Sequence, residues 1–302
     1  MSLYRILSLD GGGIRGIYTA VLLQRLEERI PDLVDRVSLL AGTSTGGIIA
    51  LGLARGFKIH EIVSLFQESG GEIFNTSRIG KLKDLGGLNG AGYNLRSLKG
   101  VLERVFNGTR LDDLEKRVLI PTFDLDDQRE GVERTWKAKF FHNFPGPCSD
   151  GGESVVDVAL RTSAAPTVFP SYQGFIDGGV VANNPSMAAL AQALDRDTGN
   201  RTLTDVRLLS LGTGTVPFFI QGDQLNWGYR QWFKPLMKIM VDGAASVTHF
   251  QCMSLLRDRY HRLAPVLPER IRLDEVGKVD SLIAYAHEVK LDRTCAWLEE
   301  HF

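Results

Sequence analysis

Short apolar runs alternate along this chain with longer segments whose apolar residues recur at helical spacing. Strand patterns, short and mostly apolar, cover residues 4–9, 37–41, 117–125, 133–141 and 205–212. Helical patterns cover residues 17–30, 47–55, 154–162 and 184–195. This regular alternation is typical of α/β proteins, and it predicts a three-layer α/β/α architecture with a central, mostly parallel sheet.

The chain is long enough to bury one large core. It has 302 residues, of which 43% are hydrophobic and 24% are charged. Two further helical patterns, at residues 280–286 and 294–298, stand near its end. We therefore predict a single domain over residues 1–302, with about residues 261–302 as a C-terminal helical closure.

Glycine-rich motifs follow two of these predicted strands and a further short strand predicted at residues 175–176. Residues 10–16 read Asp-Gly-Gly-Gly-Ile-Arg-Gly, residues 42–46 read Gly-Thr-Ser-Thr-Gly, and residues 177–179 read Asp-Gly-Gly. In open α/β sheets, ligands bind outside the carboxyl ends of the strands. We therefore expect the three motifs to converge at one edge of the sheet.

The middle motif is Gly-x-Ser-x-Gly, which places a serine on a strained turn between a strand and a helix. Its flanking glycines, Gly42 and Gly46, make such a turn possible, and the serine is Ser44. The pattern alone is a weak signal, because a glycine-rich turn would look the same. The strand pattern before it and the helical pattern after it favour a nucleophile.

The first motif is a glycine loop between a predicted strand and a predicted helix. The backbone N–H groups of Gly11, Gly12 and Gly13 can turn toward one point, where the positive end of the following helix dipole favours an anion. In an acyl hydrolase that anion is the oxyanion of the tetrahedral intermediate. Arg15 either adds charge to this site or holds the loop.

The same loop fits Gly-x-Gly-x-x-Gly, the fingerprint of a dinucleotide site, and an oxidoreductase is the alternative from another class. Such a site needs an acidic residue at the end of the second strand to hold the ribose. Here the second strand runs directly into the motif around Ser44, and Asp32 and Asp35 precede that strand. The acyl hydrolase is therefore the preferred interpretation.

These motifs resemble those of the patatin-like phospholipases. The resemblance rests on Asp-Gly-Gly-Gly-x-Arg-Gly, on Gly-Thr-Ser-Thr-Gly-Gly and on Asp-Gly-Gly followed by Asn-Asn-Pro, in this order. Residues 162–166 and 211–214 also resemble segments of the family, so that the likeness extends over roughly residues 4–260. It implies a patatin-like α/β/α fold and a lipid acyl hydrolase of the phospholipase A type.

The resemblance also implies roles for individual residues. Ser44 would be the nucleophile and Asp177 its base in a Ser-Asp dyad. The glycine loop, Gly11 to Gly13 with Arg15, would form the oxyanion hole, and neither a metal nor a cofactor would be needed. Bacterial members of the family include effectors switched on by cyclic nucleotides or host proteins. An activator-dependent phospholipase with the same chemistry is therefore an alternative.

A Ser-His-Asp triad is the competing mechanism, and in α/β-hydrolases its histidine would follow the acid. The histidines beyond Asp177 are His249, His261, His287 and His301, and none lies in a glycine-rich turn that would place a catalytic base. We therefore expect the dyad to act without a histidine.

Composition and charge limit the kinds of molecule that the protein is expected to bind. A formal net charge of −1 gives no basic excess for nucleic acid, and no apolar stretch has the length of a membrane span. Three widely spaced cysteines favour a reduced, cytoplasmic compartment over a disulfide framework. We expect a lipid or lysolipid substrate at a membrane surface, with peripheral membrane association; an activator and a homo-oligomer both stay open.

Two segments are candidates for controlling access to the site. Residues 80–92 contain five glycines and fit either a lid or an ordinary surface loop. Residues 216–235 contain six aromatic residues, at positions 218, 219, 227, 229, 232 and 233, together with Arg230 and Lys234. That second composition suits a lipid interface, a small subdomain core or a subunit contact.

Overall fold

The computed structural model describes residues 3–73, 92–93, 95–128 and 131–302. Its strands are β1 (Tyr4–Leu9), β2 (Leu39–Gly42), β3 (Arg117–Asp124), β4 (Lys137–His142), β5 (Phe175–Asp177), β6 (Val206–Leu211) and β7 (Tyr260–Leu263). Its α-helices are α1 (Gly16–Arg29), α2 (Thr45–Ala54), α3 (Ile59–Ile73), α4 (Leu95–Phe106), α5 (Val155–Ser163), α6 (Gly179–Ala182), α7 (Ser186–Leu194), α8 (Tyr229–Leu256), α9 (Val279–Glu288) and α10 (Asp292–His301).

The strands form one sheet in the order β4-β3-β2-β1-β6-β7, with β5 paired to β3. The neighbouring pairs β3–β2, β2–β1, β1–β6 and β6–β7 are parallel, whereas β4 and β5 run antiparallel to β3. Because successive strand residues point to opposite faces, Leu7 and Leu9 enter one core and Tyr4 and Ile6 enter the other. The predicted α/β/α architecture with a mostly parallel sheet is confirmed.

Helices cover both faces of the sheet. The larger core lies under α1 to α5 together with α9 and α10, and the smaller core lies under α7 and the C-terminal end of α8. Leu22 and Leu26 of α1 are fully buried in the larger core. Leu190 of α7 and Cys252 of α8 occupy the smaller one. The two apolar faces of the sheet are thus buried by different parts of the chain.

Two strands meet head-on beside β3. Strand β2 pairs with residues 117–119 of β3, and β5 pairs antiparallel with residues 122–124. Since β4 occupies the other edge of β3 over residues 119–124, β5 lies on the same edge as β2 and runs toward it. The carboxyl ends of β2 and β5 therefore face each other, which brings the chain after Gly42 close to Asp177.

This arrangement corrects one expectation. The motifs after β1 and β2 do follow adjacent parallel strands, but the motif at Asp177 arrives from the opposite direction. A strand of three residues carries no pattern that reveals its direction. The three motifs converge because β3 extends beyond the last residue of β2. Its residues 122–124 are therefore available to pair with β5.

The C-terminal segment is also not helical throughout. Residues 260–263 form β7, which pairs parallel with β6, so that the sheet extends into the predicted helical closure. Four residues are too few to show strand periodicity. The two predicted closing helices are present as α9 and α10, and Arg25 of α1 donates to the carbonyls of Ala286 and Val289 at 2.5 and 2.9 Å. Residues 80–91 of the proposed lid lie outside the described residues.

Candidate active site

Ser44 lies on the tight turn between β2 and α2. Its backbone has φ 55° and ψ −124°, a strained conformation for a residue other than glycine, and its relative exposure is 8%. A Cβ on Gly46 would lie 2.4 Å from the Leu9 carbonyl oxygen, and one on Gly42 would lie 2.1 Å from the carbonyl oxygen of Gly46. Both flanking positions therefore require glycine, as the sequence motif predicts.

Hydrogen bonds hold this turn against the neighbouring elements. The Ser44 N–H donates to Oγ1 of Thr162 at 3.0 Å, and that hydroxyl donates to the carbonyl of Pro121 at 2.6 Å. The Thr43 hydroxyl donates to the carbonyl of Ala182 at 2.7 Å. Thr162 thus links the turn at Ser44 to β3, a role that its place in the sequence did not reveal.

Asp177 ends β5 beside Ser44. Its relative exposure is 6%, and its Oδ1 accepts the Gly179 N–H at 2.6 Å. Burial raises the pKa of this carboxyl to about 6, while hydrogen bonds from the Gly179 N–H and the Ser44 hydroxyl act in the opposite direction. The predicted base therefore lies within hydrogen-bonding reach of the Ser44 hydroxyl.

The glycine loop lies next to Ser44, since a Cβ on Gly11 would be 3.3 Å from Cβ of Ser44. The Gly11 N–H donates to the carbonyl of Asn183 at 3.0 Å and is therefore occupied. The N–H groups of Gly12 and Gly13 have no hydrogen-bond acceptor among the described residues. Of the three donors predicted for the oxyanion, these two are free in this conformation.

Arg15 contacts the backbone of the glycine loop. Its Nε donates to the Gly12 carbonyl at 3.5 Å, a long hydrogen bond. Burial lowers the pKa of its guanidinium, and the nearby carboxylates of Asp242 and Asp10 act in the opposite direction. Of the two roles considered for Arg15, these contacts favour holding the loop.

A buried ion pair supports the start of the loop. Arg262 of β7 contacts both carboxylate oxygens of Asp10, at 3.2 and 2.6 Å, and donates to Oγ of Ser210 at 2.7 Å. Asp10 raises the pKa of the Arg262 guanidinium against the effect of burial. The sequence gives no signal for this pair, because its members are 252 positions apart.

The histidines considered for a triad lie elsewhere. Nδ1 of His249 lies 3.2 Å from the Tyr260 hydroxyl, and Nε2 of His261 lies 2.9 Å from Oγ1 of Thr294. Burial, aided by Arg293, lowers the pKa of His261 to about 4. Among the described residues no histidine hydrogen-bonds to Ser44 or Asp177, so the geometry gives a triad no support.

The comparisons with known proteins agree with the motifs. Residues 7–190 match the profile of the patatin-like phospholipases, and the chain belongs to this family. It is 32% identical over 334 residues to CotR of Bacillus subtilis (strain 168), provisionally named a sporulation hydrolase, covering 100% of this chain and 99% of CotR.

Two further relatives are named cGAMP-activated phospholipases. One, from Pseudomonas aeruginosa (strain BWHPSA011 / Pa011), is 32% identical, covering 86% of this chain and 78% of the relative. The other, from Escherichia coli (strain TW11681), is 33% identical, covering 90% of this chain and 80% of the relative. Family membership supports a lipid hydrolase of phospholipase type over the dinucleotide oxidoreductase.

No helix within the described ranges is both long enough and apolar enough to cross a bilayer.

Proposed function

We propose that the protein is a lipid acyl hydrolase of the phospholipase A type, with Ser44 as nucleophile and Asp177 as base. The observation that carries this proposal is the contact between a serine on a strained turn and a buried carboxylate whose pKa is raised to about 6. A carboxyl with a pKa near its ordinary value of 3.8 is a weak base, and burial makes this one stronger.

The reaction then proceeds in two halves. Oγ of Ser44 attacks the ester carbonyl carbon while Asp177 accepts the hydroxyl proton. Asp177 returns this proton to the leaving alcohol oxygen as the carbon–oxygen bond breaks, and the fatty acyl group stays on Ser44. Water attacks the acyl-enzyme and gives a proton to Asp177. That proton passes to the Ser44 oxygen as the fatty acid leaves.

The N–H groups of Gly12 and Gly13 would stabilise the oxyanion in both halves. They are unpaired within the described chain, and Arg15 and Thr213 hold the loop through the carbonyls of Gly12 and Gly11. Loss of one such donor typically costs about 2.7–4 kcal/mol of transition-state stabilisation. An aspartate base without an intervening histidine leaves a large share of the acceleration to these donors.

Fatty-acid release from mixed phospholipid vesicles tests this proposal. We expect release by the wild-type protein and loss of at least a thousandfold in Ser44→Ala and in Asp177→Asn. His249→Ala is the control, and it should keep most of the activity because His249 contacts Tyr260 instead of the dyad. A loss in His249→Ala as deep as that in Ser44→Ala would favour a triad and contradict the dyad.

An activator-dependent enzyme is the second candidate, favoured by the two relatives named cGAMP-activated phospholipases. The same vesicle assay should be run with and without cGAMP. Release that requires cGAMP would support a regulated effector with the same Ser44 chemistry. Equal release in both conditions would argue against activation by this nucleotide.

A further inference from the structure

Helix α8 presents a long apolar face to solvent. Six large apolar residues recur along it at alternating spacings of three, four or seven positions, with relative exposures of 81%, 50%, 47%, 55%, 55% and 63% for Tyr229, Phe233, Leu236, Met240, Val247 and Phe250. The helix has 28 residues and is therefore about 42 Å long. Single exposed apolar residues are ordinary, but six of them along one face of a helix indicate an interaction surface.

The opposite side of α8 is fixed to the site. Cys252 and Leu256 are fully buried in the smaller core, and the helix packs against α6, which begins two residues after Asp177. The charge of Asp242 acts on Arg15, which braces the glycine loop. The apolar face is therefore held in a fixed relation to Ser44.

The N-terminal end of the face is aromatic and basic. Trp227 and Trp232 stack edge to face with ring centroids 5.0 Å apart, and Tyr229 and Phe233 are 5.8 Å apart. Phe219, in the segment that precedes the helix, is 83% exposed. Residues 224–241 contain three basic residues and no acidic residue, and Lys238 among them forms an ion pair with Asp242 at 2.6 Å. Aromatic side chains beside cations are typical of surfaces that bind the headgroup region of anionic membranes.

We propose that this face of α8, with the aromatic residues that precede it, is the surface by which the protein binds an anionic phospholipid bilayer. The inference rests on the proposed function, because a buried Ser44 reaches an acyl ester only if lipid is delivered beside it. A second copy fits the charges less well. Paired copies would set the three basic residues of segment 224–241 against one another, or against the end of α8 that is followed by Arg257, Asp258 and Arg259, which together carry a net positive charge.

Binding of the Ser44→Ala protein to sedimented vesicles of phosphatidylcholine and phosphatidylglycerol tests the proposal without hydrolysis. We expect Met240→Glu/Val247→Glu in this background to weaken binding at least tenfold, since both substitutions place a charge in the apolar face. The matched control, Val132→Glu/Trp136→Glu, adds the same charge at two exposed apolar residues outside α8 and should bind as the parent does.

The same two pairs of substitutions, made with Ser44 intact, should hydrolyse a water-soluble short-chain ester within twofold of wild type. That result would show that the fold and the dyad are unaffected.

Unchanged vesicle binding by the α8 variant, or equal losses in both variants, would overturn the proposal. A wild-type dimer that the α8 variant abolishes, with vesicle binding unchanged, would assign the face to a second copy. Vesicle binding by a wild-type protein that hydrolyses no ester, either with or without cGAMP, would argue against the proposed function and leave the membrane-binding surface supported.

Discussion

With Asp177 as the proposed base, the reaction should depend on pH, because only the deprotonated carboxylate can accept the Ser44 proton. Burial raises its pKa to about 6, so the fraction of active enzyme falls as pH drops below that value. We expect kcat/KM for a water-soluble ester to fall about tenfold per pH unit below about 6 and to reach a plateau above it. A pH-rate profile from pH 4 to 9 measures this.

The control for this profile is His249→Ala, which should keep the same inflection. Burial lowers the pKa of His249, and the side chain contacts Tyr260. A profile that stays flat down to pH 4, or an inflection that moves in His249→Ala, would show that Asp177 is not the titrating base.

Thr162 is a positioning residue in this structure, because its hydroxyl accepts from the Ser44 N–H and donates to the Pro121 carbonyl. Thr162→Val keeps the shape of the side chain but leaves both backbone groups unpaired, at a cost of about 1–3 kcal/mol. If that cost falls on the geometry of the turn, kcat for a soluble ester drops roughly ten- to hundredfold with KM nearly unchanged.

Thr162→Ser retains the hydroxyl and should recover most of the lost kcat. Equal losses in the valine and serine variants would point to packing of the Thr162 methyl group instead of the hydrogen bonds. A rise in KM with kcat unchanged would place Thr162 in substrate binding and contradict the positioning role.

At the scale of elements, much of the framework follows from sequence patterns. Residues 117–125 and 205–212 were predicted as strands, and β3 and β6 occupy residues 117–124 and 206–211. The motifs also drew attention to Ser44 and Asp177, whose catalytic roles stay predictions. Strand β5 could not be oriented beforehand, because its direction is fixed by the protruding end of β3 and by β4 on the other edge. Likewise, the Gly11 N–H donates to the carbonyl of Asn183, a tertiary contact that the motif alone does not predict.

The turn between β2 and α2 depends on close backbone contact at Gly46, where a Cβ would lie 2.4 Å from the Leu9 carbonyl oxygen. Gly46→Ala must therefore push β1 and α2 apart. Overpacking of this kind costs about 1–3 kcal/mol, and here it also displaces Ser44. We expect a lower midpoint of urea unfolding together with a large loss of esterase activity.

Gly52→Ala is the matched control within the same helix. A Cβ there would meet side chains and no backbone, with Cδ1 of Ile62 nearest at 3.1 Å and Cδ2 of Phe57 at 4.0 Å, so that a small shift of one side chain accommodates it. This variant should unfold within about 1 kcal/mol of wild type and keep its activity. Full activity in Gly46→Ala would show that the turn tolerates a wider separation than the structure implies.

At the scale of the whole molecule, the site depends on residues outside the segment that matches the family profile. That match ends at residue 190, whereas Arg262 lies on β7 and forms the ion pair with Asp10 at the start of the glycine loop. Asp10 leads directly into Gly11 to Gly13. Strand β7 thus fixes, through one buried pair, the loop that would hold the oxyanion.

Arg262→Leu should show how strongly the two parts are coupled. It leaves the Asp10 carboxylate buried without a partner, which typically costs about 3–5 kcal/mol of stability. Asp10→Asn/Arg262→Leu removes both charges, and we expect the double variant to be more stable than Arg262→Leu alone. Urea unfolding of both single variants and the double variant gives the coupling energy.

Additive effects would mean that the pair stabilises neither the fold nor the loop. Recovered stability with activity still low would mean that the charged pair, beyond its contribution to folding, sets the conformation of the glycine loop.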